Sequence, residues 1–113
     1  MDLDIRQTGP ICTLRIKGQF KSSHTATFAS ALDQALSNQC LYLLLDLEQM
    51  SYIDSSGIGA IVGALRRTRQ LGGDTKLVNP SAFASRTFKM VGILNLFAVF
   101  PSEEDAIASC RPA

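Results

Sequence analysis

The chain has 113 residues, 46% hydrophobic and 19% charged, which supplies one core and excludes a disordered chain. Its formal net charge of +1 excludes the basic excess that drives binding to nucleic acid or an acidic membrane. No apolar run approaches the roughly 20 residues needed to insert across a bilayer.

The first element is a strand in which Leu3 and Ile5 alternate with Asp2, Asp4 and Arg6. Thr8-Gly9-Pro10 is a turn, after which Cys12, Leu14 and Ile16 face one way and Thr13, Arg15 and Lys17 the other. The two segments predict an antiparallel hairpin with one wetted face, its second strand ending at Gly18. Ser22 or Ser23 then caps a helix carrying Phe28, Leu32, Ala35 and Leu36 at helical spacing, closed by Asn38.

Leu41 to Leu45 is a nearly unbroken apolar run, as expected of a central strand covered or flanked on both sides. A short loop leads to a helix over Ser56 to about Leu71, whose buried stripe is Ile58, Ile61, Val62 and Leu65. Gly72-Gly73 stops it, and Arg66, Arg67 and Arg69 complement its C-terminal dipole. Thr75 to Val78 reads as a strand, and Asn79-Pro80 as the start of a helix through about Met90 that buries Phe83, Phe88 and Met90. Leu96 to Phe100 is a further strand. Ser102, with Asp105 three residues on, opens a short last helix.

The order β-β-α-β-α-β-α-β-α predicts an α/β fold: one mixed sheet of four to five strands, with about four helices mainly on one face. There is no repeat or linker, so a single domain over residues 1–113 is expected. Cys12, Cys40 and Cys110 are odd in number and widely spaced, which suits a reducing, cytoplasmic compartment, and Cys12 and Cys40 lie in strand-like contexts as small hydrophobes. The acidic, alternating N-terminus is unlike a secretory leader.

The candidate site is Asp54-Ser55-Ser56-Gly57-Ile58-Gly59, where a strand and loop give way to a helix. A helix N-terminus carries unpaired N–H groups and partial positive charge, so a serine there suits a switchable phosphate. The plainer reading is that these residues only cap the helix. One cap is sufficient, however, and three candidates stand in a row. Gly57, Gly59 and Gly63 each weaken a helix, and allow either close packing on the sheet or close approach by a partner's backbone.

Catalysis has little support. The only histidine, His24, starts a predicted helix, and the serines lack the GxSxG elbow. Asp46, Glu48 and Asp54 follow no repeated ligand spacing, and the glycines match no nucleotide-binding loop, so neither a metal nor a cofactor is expected. Part of Gly92-Ile93-Leu94-Asn95-Leu96-Phe97 is apolar enough either for core or for a docking surface beside the serine helix.

Leu45-Asp46-Leu47, Tyr52-Ile53-Asp54-Ser55-Ser56-Gly57-Ile58-Gly59 and the segment from Val91 to Phe100 together resemble a STAS domain. More narrowly, they resemble bacterial anti-sigma factor antagonists. The resemblance spans almost the whole chain, and Asp-Ser-Ser-Gly at the strand-to-helix junction is its most specific part. It implies a small non-enzymatic protein with two partners: an anti-sigma factor serine kinase, bound in the unphosphorylated state, and a phosphatase that reverses the mark.

By the same resemblance Ser56, directly before the glycine, is the phosphoacceptor, with Ser55 the second choice. Lys21, Asp54, Ser55, Ser56, Gly57, Ile58, Gly59 and Gly63 would form the docking surface. One departure stands out: where many members carry Gly-Glu-Leu-Asp, this chain has Gly18-Gln19-Phe20-Lys21. A lysine thus replaces an acid near the serine, and could hold a phosphate or pair with an acidic partner residue. The alternative function is a STAS accessory module of a transporter, or a small-ligand-binding STAS domain.

Overall fold

In the computed structural model, which describes residues 1–110, the chain opens with β1 (Asp2–Thr8) and β2 (Ile11–Phe20). They form the predicted antiparallel hairpin, in register from Thr8↔Ile11 to Asp2↔Lys17. The last three residues of the expected domain lie outside the described residues. Cys12, Leu14 and Ile16 are buried, as their alternation requires.

β2 does not end at Gly18. That glycine has φ +82, a left-handed conformation open to it without a Cβ penalty, and the pairing register shifts between Gly18 and Gln19. The strand bends there and changes partner. Ile11 to Arg15 pair in parallel with β3 (Tyr42–Asp46), and from Gly18 onward the strand pairs in parallel with β4 (Met50–Ile53). The sequence predicts a loop where β4 lies: only the outer residues of the strand, Met50 and Ile53, are buried, so it shows no period-2 pattern.

The remaining strands, β5 (Asp74–Val78) and β6 (Val99–Phe100), extend the sheet in parallel to the order β1-β2-β3-β5-β6, six strands with β4. The apolar run of β3 is buried on both sides. Leu43 and Leu45 join the main core, while Leu44 joins a smaller cluster with Val78 and Ala106.

Three helices cover the main core and one the opposite face. α1 (Thr25–Ser37) buries Phe28, Leu32 and Ala35. Neither Ser22 nor Ser23 caps it through a side chain; a single 3-10 turn, Ser22–His24, precedes it instead. α2 (Ser55–Gln70) buries Ile61, Ala64, Leu65 and Thr68, with Ile58 and Val62 at the edge of the stripe. The Thr68 and Thr75 hydroxyls meet at 2.8 Å and join α2 to β5.

α3 (Ala82–Met90) starts at Ser81, whose Oγ accepts the Ala84 N–H at 3.1 Å, rather than at Asn79-Pro80. Phe88 is buried, but Met90 is 81% exposed, because two residues along a helix point to opposite sides. The strand expected from Leu96 is instead a 3-10 turn, Leu94–Leu96, followed by the two residues of β6. α4 (Glu103–Ser109) has the predicted cap, with Ser102 Oγ accepting the Asp105 N–H at 3.1 Å.

Candidate functional site

The site is a corner where β4 hands the chain to α2 and the end of β2 folds over the junction. Asp54 organises it. One carboxylate oxygen, Oδ1, accepts the Gly57 N–H at 2.9 Å and caps α2; the other, Oδ2, accepts the Ser22 N–H at 2.9 Å. The Asp54 N–H in turn donates to the Phe20 carbonyl at 3.1 Å. These bonds bring Lys21 to the serines, although it lies far from them in sequence.

The Gly57 N–H holds the Asp54 carboxyl below the usual carboxylate range, with partial desolvation opposing it and the Ser22 and Ser56 N–H groups adding to it. Because Asp54 supplies the cap, Ser55 and Ser56 are left on the first turn of α2, both exposed. Among the described residues, the side-chain hydrogen bonds of this corner run through Asp54, His24 and Thr25, and none through the Ser55 or Ser56 hydroxyl. Lys21 is also exposed.

The three glycines separate. A methyl group at Gly57 would meet Ile53 Cγ1 at 2.7 Å and the Phe20 carbonyl oxygen at 2.8 Å, so this position is bare for packing. At Gly59 and Gly63 it would meet nothing within 4 Å. Those two follow Ser56 at helical spacing and continue its side of α2 with open space above the backbone.

Other residues singled out by sequence lie elsewhere or are already engaged. His24 Nδ1 accepts the Lys21 N–H at 3.1 Å, a capping role within the 3-10 turn. Asp46 accepts from Arg15 Nε at 3.1 Å and from the Glu48 N–H at 3.1 Å, which ties it into the sheet rather than to Asp54. Cys12 and Cys40 are buried in the main core, and burial pushes both thiols up, away from the reactive thiolate.

Of the Gly92–Phe97 stretch, Phe97 is buried and Leu96 exposed, beside the C-terminal half of α2, where Arg69 Nη2 donates to the Leu96 carbonyl at 2.9 Å. Sequence reasoning missed Tyr52 as a surface residue. It is 43% exposed, two residues before Asp54, with its ring edge-on to Phe83 at 5.9 Å. Recognising β4 as a strand would have revealed it.

A mixed sheet with a carboxylate-capped helix presenting free hydroxyls defines an α/β domain whose site is a surface rather than a cavity. Residues 2–106 match the model of the STAS domain family, and the chain belongs to that family. It is 21% identical to the anti-sigma F factor antagonist of Paenibacillus polymyxa, over 95% of this chain and 92% of that protein. To the anti-sigma-B factor antagonist of Bacillus subtilis it is 25% identical, over 95% and 97%.

Its fold matches the anti-sigma factor antagonist SpoIIAA in the unphosphorylated form, with a TM-score of 0.84 at 23% identity over 96% of this chain and 95% of that one. The phosphorylated form of the Bacillus protein matches with a TM-score of 0.79 at 23% identity, over 97% and 100%.

Proposed function

We propose that this chain is an anti-sigma factor antagonist, controlled by phosphorylation of Ser56. In this reading the unphosphorylated chain binds an anti-sigma serine kinase in the cytoplasm and frees a sigma factor, and a protein serine phosphatase resets it. The observation that carries the reading is the division of labour at the α2 N-terminus. Asp54 does the capping, so the Ser56 hydroxyl is exposed and available to a kinase. The antagonist names of the full-length relatives, and SpoIIAA's occurrence in both phosphorylation states, support it. No described helix is long and apolar enough to cross a membrane, which is compatible with a cytoplasmic partner.

The switch needs no unfolding. A phosphate adds about −1.5 to −2 charges. The helix N-terminus stabilises that charge, while Asp54 and acidic groups of a docked kinase repel it. Gly59 and Gly63 let the partner's backbone approach the outer side of α2, and Lys21 pairs with an acidic partner residue or holds the phosphate. The chain is then a substrate for another protein's chemistry.

The test is incubation with an anti-sigma serine kinase and ATP, followed by mass spectrometry of the peptide containing Ser55 and Ser56. Phosphate on Ser56 is expected. Phosphate on Ser55 alone would move the switch by one residue, and none on either would overturn it.

A further inference from the structure

Along the path β1-β2-β3-β5-β6 the two ends of the sheet are very different. On one side it ends in β6, only two residues long, and a short edge resists further pairing. On the other it ends in β1, seven residues from Asp2 to Thr8, paired on one side only. The Gly9-Pro10 loop closes the hairpin at Thr8↔Ile11. In a two-residue hairpin the closing pair is hydrogen-bonded, so Thr8, Arg6, Asp4 and Asp2 point their backbone groups at β2. Leu3, Ile5 and Gln7 therefore turn theirs outward, ready for another strand.

The side chains on this edge are complementary to themselves. Ile5, at the middle of β1, is 45% exposed. Asp4 has no ion pair among the described residues, and Arg6, bonded to Glu103 at 2.7 Å, still has a side chain 60% exposed with donors to spare. Suppose two copies of β1 pair antiparallel about a two-fold axis at Ile5. Ile5 then meets Ile5, Leu3 meets Gln7, and Asp4 meets Arg6 twice, once on each side of the axis. Every residue of the strand takes part.

Moving the axis to Asp4 or Arg6 sets like charges face to face and shortens the ladder, so charge and length select the same register. Leu3 and the small α1 residues Ala26, Ser30 and Ala31 line an open shelf beside this edge, which leaves room for the second copy.

We propose that this chain forms a homodimer by antiparallel pairing of β1 with β1 about Ile5, making one continuous sheet. The inference is independent of the Ser56 reading. Lys21, Asp54, Ser55 and Ser56 lie outside β1, so a dimer carries two copies of that corner.

The test is sedimentation velocity of the full chain over a concentration series, with circular dichroism to confirm the fold of each variant. A reversible dimer is expected. Ile5→Lys sets two cations on the axis at an already exposed position and should leave a folded monomer. Asp4→Arg and Arg6→Asp should each weaken association about tenfold or more. Mixed together, those two variants should form a heterodimer, because each Arg then faces an Asp; the double variant D4R/R6D should again pair with itself. A wild type that stays monomeric at every concentration overturns the proposal. So does a dimer that survives Ile5→Lys, or a failure of the two charge variants to pair.

Discussion

Asp54 serves two elements with one carboxylate: Oδ1 caps α2 and Oδ2 holds the Ser22 N–H at the end of β2. Since those bonds depress its folded pKa, the ionised form stabilises the fold above the ordinary carboxylate range. That contribution is lost as pH falls through the depressed value. Asp54→Asn should therefore flatten the acid side of the melting-temperature profile, below about pH 4, where the wild type declines. At Gly57 the constraint is steric. A methyl group there would sit 2.8 Å from the Phe20 carbonyl oxygen, which the sheet holds in place. Gly57→Ala should cost about 1–3 kcal/mol, read as a lower urea midpoint. Ser56 has no comparable structural task. Ser56→Ala should bind the kinase whether or not ATP is present, and Ser56→Asp should bind weakly; equal affinities in a calorimetric titration would refute the switch.

α2 combines a packed side and a bare one. Ile61, Ala64, Leu65 and Thr68 anchor it, and its Arg67 and Arg69 reach Asp33 and Asp74 at 2.7 and 3.1 Å. Its outer side starts at Ser56 and continues through Gly59 and Gly63, where an added Cβ meets nothing within 4 Å. Within the chain these glycines only weaken the helix. Gly59→Ala and Gly63→Ala should each raise stability by about 0.5–1 kcal/mol in thermal melts. If a partner's backbone comes close there, the same substitutions should lower kinase affinity. Stability gained with affinity unchanged would remove these two positions from the docking surface.

At the scale of the whole molecule, the two faces of the sheet are covered unequally. α1, α2 and α3 lie over the main core, whereas the small cluster of Leu44, Val78 and Ala106 rests on the short α4. Arg6 to Glu103 at 2.7 Å and Lys76 Nζ to the Ser109 hydroxyl at 2.8 Å tie that helix down. Ala106→Asp would bury an unpaired charge against Leu44 and Val78. It should cost about 3–5 kcal/mol in chemical denaturation, with α4 losing its hold on the sheet.

Much of this was legible in the sequence because local patterns survive folding. Alternation at Leu3, Ile5, Cys12, Leu14 and Ile16 gave the hairpin, the run through Leu45 gave the doubly covered central strand, and Ser102 gave the last cap. Asp54-Ser55-Ser56-Gly57 marked the corner through a motif whose spacing lies within one helix start. What the sequence could not reveal depends on contacts between distant segments. β4 is a strand only because β2 bends at Gly18 to meet it, and four residues without alternation carry no signal of that pairing. Gly57 and Gly59 are the same residue type two places apart; only the position of Phe20 and Ile53 makes one a packing site and leaves the other open. The choice of Asp54 as the cap, and the arrival of Lys21 beside it, likewise rest on a hydrogen bond to Ser22 across the chain. Periodicity belongs to the chain, but which side chain is left free belongs to the fold.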